Sequence, residues 1–168
     1  MSVVVSDTSP LHYLIQCDAA HLLPALFQQV LIPPAVFQEL QHPRTPPAVR
    51  LWAQNPPPWI KVQAPAEIDF TINVDDGERQ AICLAREVQA AAILMDDRKG
   101  RAEAVRVGLR VTGTLGLLEA AADRGLVDIV RALQFLQQTN ARLDPRLVQA
   151  ALRRSREPRP NRGPDLKP

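Results

Sequence analysis

Acidic residues at the ends of predicted strands are the feature of this sequence that best indicates chemistry. Asp7 follows the apolar run 3–5, and the pair Asp96 and Asp97 follows the apolar run 91–95. In an open parallel sheet the carboxyl ends of the strands line the ligand crevice, so these side chains should converge. Carboxylates about 4 Å apart repel by roughly 4 kcal/mol, so such a group either binds protons or requires a cation. The sequence therefore predicts one metal site.

Two glutamates on helices are the other candidates for this site. Glu39 lies three residues after Val36 and Glu78 lies three residues before Ala81, so both should continue the buried stripes of their helices. A lone buried carboxylate costs several kcal/mol unless it is paired or coordinated. Purely structural explanations stay open, because Asp75-x-x-Glu78 resembles a capping box, Glu39 suits a salt bridge, and Asp7 suits a turn.

The residue types favour hydrolysis of phosphate esters. Oxygen ligands without His or Cys favour Mg²⁺ or Mn²⁺, and such an ion activates water and neutralises the leaving oxygen. Arg98 directly follows the Asp pair and suits a backbone phosphate, although a solvated helix face is an equally good explanation. Thr112 and Thr114 stand at a predicted helix N-terminus, which suits a second-shell ligand, a phosphate contact or an ordinary cap.

Strands alternate with helices along the chain, a pattern that predicts an α/β fold with a parallel sheet. Ser9 is the predicted N-cap of the first helix, with Pro10 at its first position. The predicted strands are residues 2–6, 30–32, 60–62, 91–95 and 109–112. The predicted helices are residues 10–16, 19–27, 34–40, 48–54, 76–89, 98–107, 115–124, 127–138 and 145–154.

Length and composition limit the number of domains that we expect. The chain has 168 residues, of which 46% are hydrophobic, which suits one well-buried core. We therefore expect one domain over residues 1–155 and a disordered Pro/Arg-rich tail over residues 156–168. The formal net charge of +2 argues against a binder that works by positive charge alone.

Cysteine content and hydropathy indicate the cellular compartment in which we expect the protein. Cys17 and Cys83 lack the spacing of a zinc site or a disulfide framework, so a reducing cytoplasm is the expected location. No leader precedes the first strand, and no apolar run approaches the roughly 18 residues that would span a bilayer. We expect no membrane partner.

Five sequence segments resemble, in order, those of a known family. They are residues 7–11, 33–40, 76–82, 94–98 and 111–116. The chain resembles PIN-domain proteins, and most closely the VapC-like branch of prokaryotic toxin–antitoxin ribonucleases. The resemblance implies a three-layer α/β/α sandwich whose parallel sheet has the order 3-2-1-4-5. It also implies an endoribonuclease dependent on Mg²⁺ or Mn²⁺, an RNA substrate, a small cognate antitoxin and a homodimer.

The resemblance also assigns roles to individual residues. Four of them match the acids of the family in order, and all four are candidate catalytic residues: Asp7, Glu39, Glu78 and Asp97. The candidate metal ligands are Asp7, Glu78, Asp97 and Asp96. Thr8 and Ser9 match the small hydroxyl residues near the metal. The Pro/Arg-rich tail has no counterpart in the family.

The two adjacent aspartates cannot both face one metal if strand geometry continues through Met95, because successive strand residues alternate in direction. The family's Thr-x-Asp spacing favours Asp97 as the inner ligand. Asp96 would then cap the following helix or act as an outer-sphere ligand.

Three other functions compete with a toxin ribonuclease. One is an RNA-processing nuclease that is not a toxin. Another is a phosphoryl switch, which would need its acid pair after the first strand rather than after the fourth. The last is a catalytically idle module that binds RNA or a protein partner. Trp52 and Trp59 would stack on bases in that case, although packing is the favoured explanation for them.

Overall fold

The computed structural model describes residues 2–139 and 143–156 of the chain. Within them, one five-stranded sheet consists of β1 (Val3–Ser6), β2 (Gln29–Ile32), β3 (Ile60–Val62), β4 (Ala92–Leu94) and β5 (Val111–Thr112). Every neighbouring pair is parallel, and the order is β3-β2-β1-β4-β5. The predicted α/β fold and sheet order are therefore confirmed.

Helices connect the strands and flank the sheet. In chain order they are α1 (Thr8–Gln16), α2 (Leu22–Leu26), α3 (Pro34–Leu40), α4 (Pro47–Gln54), α5 (Asp76–Glu87), α6 (Arg98–Arg106), α7 (Thr114–Asp123), α8 (Ile129–Gln137) and α9 (Pro145–Arg156). Each agrees with a predicted helix to within about two or three residues.

Alternating side chains of the strands pack into two cores, one on each face of the sheet. Val4 belongs to a core that takes buried residues from α1 to α4 and from α7 to α9. Val5, its neighbour on β1, belongs to a core that takes buried residues from α5 and α6. The result is the predicted three-layer sandwich, in which both faces of the sheet are covered.

The order in which the strands are added to the sheet changes direction at the boundary between β1 and β4. The first three strands occupy one half of the sheet, and β4 then pairs with the other side of β1, with Val5 opposite Ile93. The backbone amide of Asp7 donates to the carbonyl of Leu94 over 2.9 Å and ties the ends of these two strands together. This switch point is the place where open parallel sheets bind ligands.

Several details differ from the sequence predictions. The first helix begins at Thr8 with Asp7 in the N-cap position, so the assignment of Ser9 as the cap is wrong. Pro10 is nevertheless accommodated in the first turn, where its missing N–H costs no hydrogen bond. Arg156 ends α9 and therefore does not belong to the predicted tail, whose other residues, 157–168, lie outside the described part of the chain.

Two further observations concern side chains outside the site. Trp52 and Trp59 pack against each other with ring centroids 6.0 Å apart and against the core, which agrees with their interpretation as packing residues. Cys17 and Cys83 are free thiols. Among the residues described, no helix is both long and apolar enough to cross a membrane.

Candidate active site

Asp7 lies directly beyond β1 at the switch point, with only 4% of its surface exposed. It has the N-cap position of α1 and extended backbone angles, yet its side chain accepts no capping hydrogen bond from that helix. The carboxylate is thus held in a buried position by β1 and by its backbone link to β4, without being used in the helix cap.

Glu78 lies in the first turn of α5 and is 7% exposed, which confirms the prediction that it is buried. Its backbone amide donates to Asp75 Oδ1 over 2.9 Å, so Asp75 caps the helix as half of a capping box. The cap accounts for Asp75 and leaves the carboxylate of Glu78 unexplained by local structure.

Glu39 extends from α3 toward the site; the residue as a whole is exposed, but its carboxylate is partly buried against Thr8 and Gly77. The prediction that it faces the core is wrong, because Val36 and Leu40 alone form the buried stripe of this short helix. Its carboxylate accepts a short hydrogen bond from the hydroxyl of Thr8, the residue next to Asp7. Thr8 therefore links the acid of α3 to the end of β1.

The two adjacent aspartates point to different partners. Asp97 is the N-cap of α6, and its Oδ1 accepts from the amides of Lys99 and Gly100 over 2.8 and 2.9 Å. Of the two roles predicted for Asp96, that of the α6 cap is therefore wrong, and that of an outer-sphere ligand stays a prediction. Asp96 instead accepts from the amide and the hydroxyl of Thr114 over 2.7 and 2.6 Å and thereby holds the start of α7.

Burial and electrostatic repulsion raise the pKa values of the carboxylates at this site. Burial is the main cause that raises the pKa of Asp7 to about 8, and the charges of Glu78, Glu39 and Asp75 add to it. Burial also raises the pKa of Glu78 to about 7, with further contributions from Asp75 and Asp97. These five residues form what we call the acid cluster. The structure thus brings together all four predicted catalytic acids and adds Asp75.

The outer members of the site show how charge is balanced there. Burial raises the pKa of Glu39, and the hydrogen bond from Thr8 acts in the opposite direction. Burial also raises the pKa of Asp96, opposed by its bonds from Thr114 and by the charge of Arg101. None of the ion pairs found among residues 2–139 and 143–156 includes a member of the acid cluster.

Three glycines make room for these carboxylates. A Cβ on Gly77 would collide with the carboxylate of Glu39, and one on Gly100 would lie 2.9 Å from Glu78 Oε1. A Cβ on Gly113 would lie 2.8 Å from Asp96 Oδ1. Sequence reasoning did not find these contacts, although an isolated glycine within a helix, as at Gly100, often marks a close approach of this kind.

The remaining predicted residues lie around the acid cluster. Ser9, Arg98 and Thr112 line a groove that begins at Asp97. Thr114 is fully buried and bound to Asp96, so it supports that residue and cannot contact a phosphate directly. Sequence reasoning had not assigned a structural role to Arg101, which donates to the carbonyl of Met95 over 2.9 Å and so braces the connection that carries both aspartates.

The donor set fits a hard divalent cation. All members of the acid cluster offer carboxylate oxygens, and their mutual repulsion is relieved by positive charge. In the described part of the chain, no three Asp, Glu, His or Cys side chains already stand in a metal-binding arrangement. Mg²⁺ usually keeps several waters and takes only one or two protein carboxylates.

A parallel α/β sandwich with an acid cluster at its switch point defines the class: an open α/β domain whose ligand crevice lies at the carboxyl ends of the strands. The family model DUF3368, described as a PIN domain, matches residues 3–157. The chain therefore belongs to this family of PIN domains. PIN domains are generally nucleases, and these nucleases generally use divalent metal ions. No curated protein matches the chain.

Proposed function

We propose that this PIN domain is a divalent-metal-dependent endoribonuclease that hydrolyses RNA phosphodiester bonds. The observation that carries the proposal is the acid cluster at the β1–β4 switch point, where two nearly buried acids have pKa values of about 8 and 7. None of these acids is in an ion pair among the described residues, so a bound cation would relieve their mutual repulsion.

Asp7, Glu78 and Asp97 are the proposed metal-holding residues, and Glu39 completes the catalytic set. A bound Mg²⁺ or Mn²⁺ would supply the positive charge that polarises the scissile phosphate and lowers the pKa of a water. Asp97 is able to take part while it caps α6, because both capping bonds end on Oδ1 and leave Oδ2 out of the cap. Asp96 supports the site from outside by holding α7 through Thr114.

Each hydrogen bond around the cluster has a consequence for catalysis. Thr8 holds Glu39 next to Asp7, so the acid of α3 is oriented before any substrate arrives. Asp75 fixes the first turn of α5 and therefore the direction of Glu78. These preformed bonds reduce the reorganisation needed when the phosphate binds.

The proposal also includes the partners of the chain, and this part of it rests only on the resemblance to VapC-like ribonucleases. We propose that the chain is the toxin of a type II toxin–antitoxin pair, is covered by a small cognate antitoxin, and acts as a homodimer in the cytoplasm. An arginine of the antitoxin would be a suitable occupant of the acid cluster, since it supplies the missing positive charge. An RNA-processing nuclease without a toxin role is the alternative.

Cleavage of RNA with and without metal tests the enzymatic part. Single-stranded RNA and a tRNA pool are incubated with the full chain in Mg²⁺, in Mn²⁺ and in EDTA. We expect cleavage only with metal, and its loss in Asp7→Asn. The matched control is Asp18→Asn, which makes the same chemical change at an exposed position. Cleavage that persists in EDTA contradicts the proposal.

Expression in a host that lacks the neighbouring gene tests the toxin part. Growth arrest by the wild-type chain, its absence with Asp7→Asn, and relief by a co-expressed neighbouring reading frame are expected. Light scattering of the purified chain measures its oligomeric state. Harmless expression together with metal-dependent cleavage would favour the RNA-processing alternative.

A further inference from the structure

A groove of about 830 Å³ runs from the acid cluster across the surface to α9. Ser9 and Asp97 lie at its start, and Leu147 and Arg154 lie at its far end. The floor between them is the end of β5 and the first turn of α7. Its volume is in the range of roughly 300–1,000 Å³ that accommodates a small organic ligand, and hence a nucleoside.

The walls of the groove offer apolar surface. Tyr13, Leu115 and Leu143 are half-buried and contact the main core, so they form a fixed apolar side. Leu147 stands on α9, lines the groove and remains 57% exposed. A planar base that enters the groove would cover this side chain and gain its burial.

Most charged groups of the groove are already engaged. Asp96 is bound by Thr114, and Arg154 forms an ion pair with Glu119 over 2.7 Å. Arg101 is engaged with the carbonyl of Met95. Asp144 accepts from the backbone amide at the start of α9 and so serves as its cap.

Arg98 is different from the other arginines of the groove. It is exposed next to Asp97, and within the described residues its side chain forms no hydrogen bond or ion pair. Its position at the mouth, beside the acid cluster, suits the phosphate that neighbours the scissile one. A guanidinium binds phosphate oxygens in a bidentate manner, which favours this residue as a backbone contact.

The helix at the far end is basic. Residues 145–156 contain four arginines and no acidic residue. Arg146 and Arg153 each precede a residue that lines the groove and are themselves exposed. The helix therefore presents apolar surface to the groove and positive charge beside it, and positive charge along a groove favours the backbone of single-stranded nucleic acid.

We propose that this groove is the track of the RNA strand on one side of the scissile phosphate. One nucleoside lies against Leu115 and Leu147, with its phosphate on Arg98, and the strand continues along the basic side of α9. The proposal rests on the ribonuclease function proposed above and adds the residues that bind the substrate. It assigns to α9 a role in substrate binding.

Binding of a short fluorescein-labelled single-stranded RNA to the full chain in EDTA tests the track without cleavage. Fluorescence anisotropy is measured over a range of salt concentrations for the wild type, Arg98→Gln and Leu147→Ala. The controls are Arg110→Gln and Leu51→Ala, which alter an exposed arginine and a 68% exposed leucine outside the groove. Circular dichroism confirms that all five proteins are folded.

The two groove variants should weaken RNA binding in different ways. Arg98→Gln should raise Kd about tenfold, since one charge-assisted contact is lost, and should reduce the slope of log K against log salt by about 0.7. Leu147→Ala should raise Kd roughly threefold to fivefold and leave the salt slope unchanged, because the lost surface is apolar. Both controls should bind as the wild type does.

Equal anisotropy curves for all five proteins would overturn the track. The outcome separates this proposal from the enzymatic one. Metal-dependent cleavage with unchanged groove variants refutes the track alone. Weakened RNA binding by the groove variants of a chain that cleaves no RNA supports the track and refutes the nuclease.

Discussion

Replacement of Asp7 by Asn tests the physical basis of the site through stability rather than activity. Burial, assisted by neighbouring acids, raises the pKa of Asp7 from its ordinary value of 3.8 to about 8 in the fold. Between these two pH values the unfolded chain has lost the proton and the folded chain keeps it. The unfolded state therefore binds fewer protons, and the free energy of unfolding of the wild type falls as pH rises through this window.

The size of the effect follows from the same values. Each pH unit within the window contributes about 1.4 kcal/mol, so the free energy of unfolding should fall by up to about 4 kcal/mol between pH 5 and pH 8. Water entry and relaxation around the carboxylate reduce this figure, and we expect at least about 2 kcal/mol. Asp7→Asn carries no titrating group and should lose this part of the pH dependence.

Urea denaturation of both proteins at pH 5, 6, 7 and 8 measures the difference. The Asn variant should gain on the wild type steadily as pH rises, whereas Asp18→Asn should follow the wild type at every pH. Mg²⁺ or Mn²⁺ at pH 8 should raise the unfolding midpoint of the wild type more than that of Asp7→Asn, because a ligand stabilises the state that binds it.

Parallel pH profiles for the wild type and Asp7→Asn would refute this reasoning. They would mean that Asp7 is solvated or paired in solution, so that ionising it costs nothing. An equal stabilisation of the two proteins by metal would place the cation elsewhere. Glu78 titrates in both proteins, so its raised pKa does not account for a difference between them.

Substitutions at three positions, Asp97, Asp96 and Gly100, test the arrangement around the acid cluster. Asp97→Asn keeps an acceptor for the α6 cap, so cleavage should fall roughly a hundredfold with the melting temperature maintained, whereas Asp97→Ala should also lose about 1 kcal/mol of stability. The side chain of Asp96→Asn can still accept from the Thr114 amide through its oxygen and can donate to the Thr114 hydroxyl through its –NH₂ group, so this variant should retain most activity; the reverse order of cleavage rates would make Asp96 the catalytic acid. Gly100→Ala places a methyl group 2.5 Å from Met95 Sδ and 2.9 Å from Glu78 Oε1 and should reduce cleavage at least tenfold, while Gly116→Ala, with its nearest contact at 3.5 Å, should keep the melting temperature of the wild type.

Most of the fold was predictable from the sequence because its signals are local. Apolar runs and amphipathic stripes located each strand and helix, and the alternation of the two indicated a parallel sheet. Asp7 could be assigned to the site for the same reason, since a residue that ends a central parallel strand must lie at the crevice. The sheet order itself came from the resemblance and not from these patterns.

The roles of Asp96 and Asp97 show where the local signals fail. The alternation rule assumes that strand geometry continues to the aspartates, but β4 ends at Leu94 and α6 begins at Arg98. Both acids therefore lie in a short connection, where period-two alternation does not apply. Their directions depend on contacts with Thr114 and with the α6 amides, which no local pattern predicts.

Glu39 and the glycines show a second limit. Helical periodicity predicts the direction of a side chain, but it does not predict whether a neighbouring element covers that side chain. Glu39 remains exposed in the fold. A glycine contributes to the site by having no side chain, so its importance depends on which residue lies opposite. Gly77 contacts an acid from α3 and Gly113 contacts an acid that follows β4, which only the tertiary structure reveals.

The position of the acid cluster between β1 and β4 divides the site between two consecutive halves of the chain. Asp7 and Glu39 belong to the half that builds β3, β2 and β1, and Glu78 and Asp97 belong to the half that builds β4 and β5. Cleavage of the chain within residues 63–71 would thus give two fragments. Each fragment would carry only two of the four proposed catalytic acids. Neither fragment would cleave RNA alone, and activity in their mixture would report fragment complementation across the β1–β4 pairing.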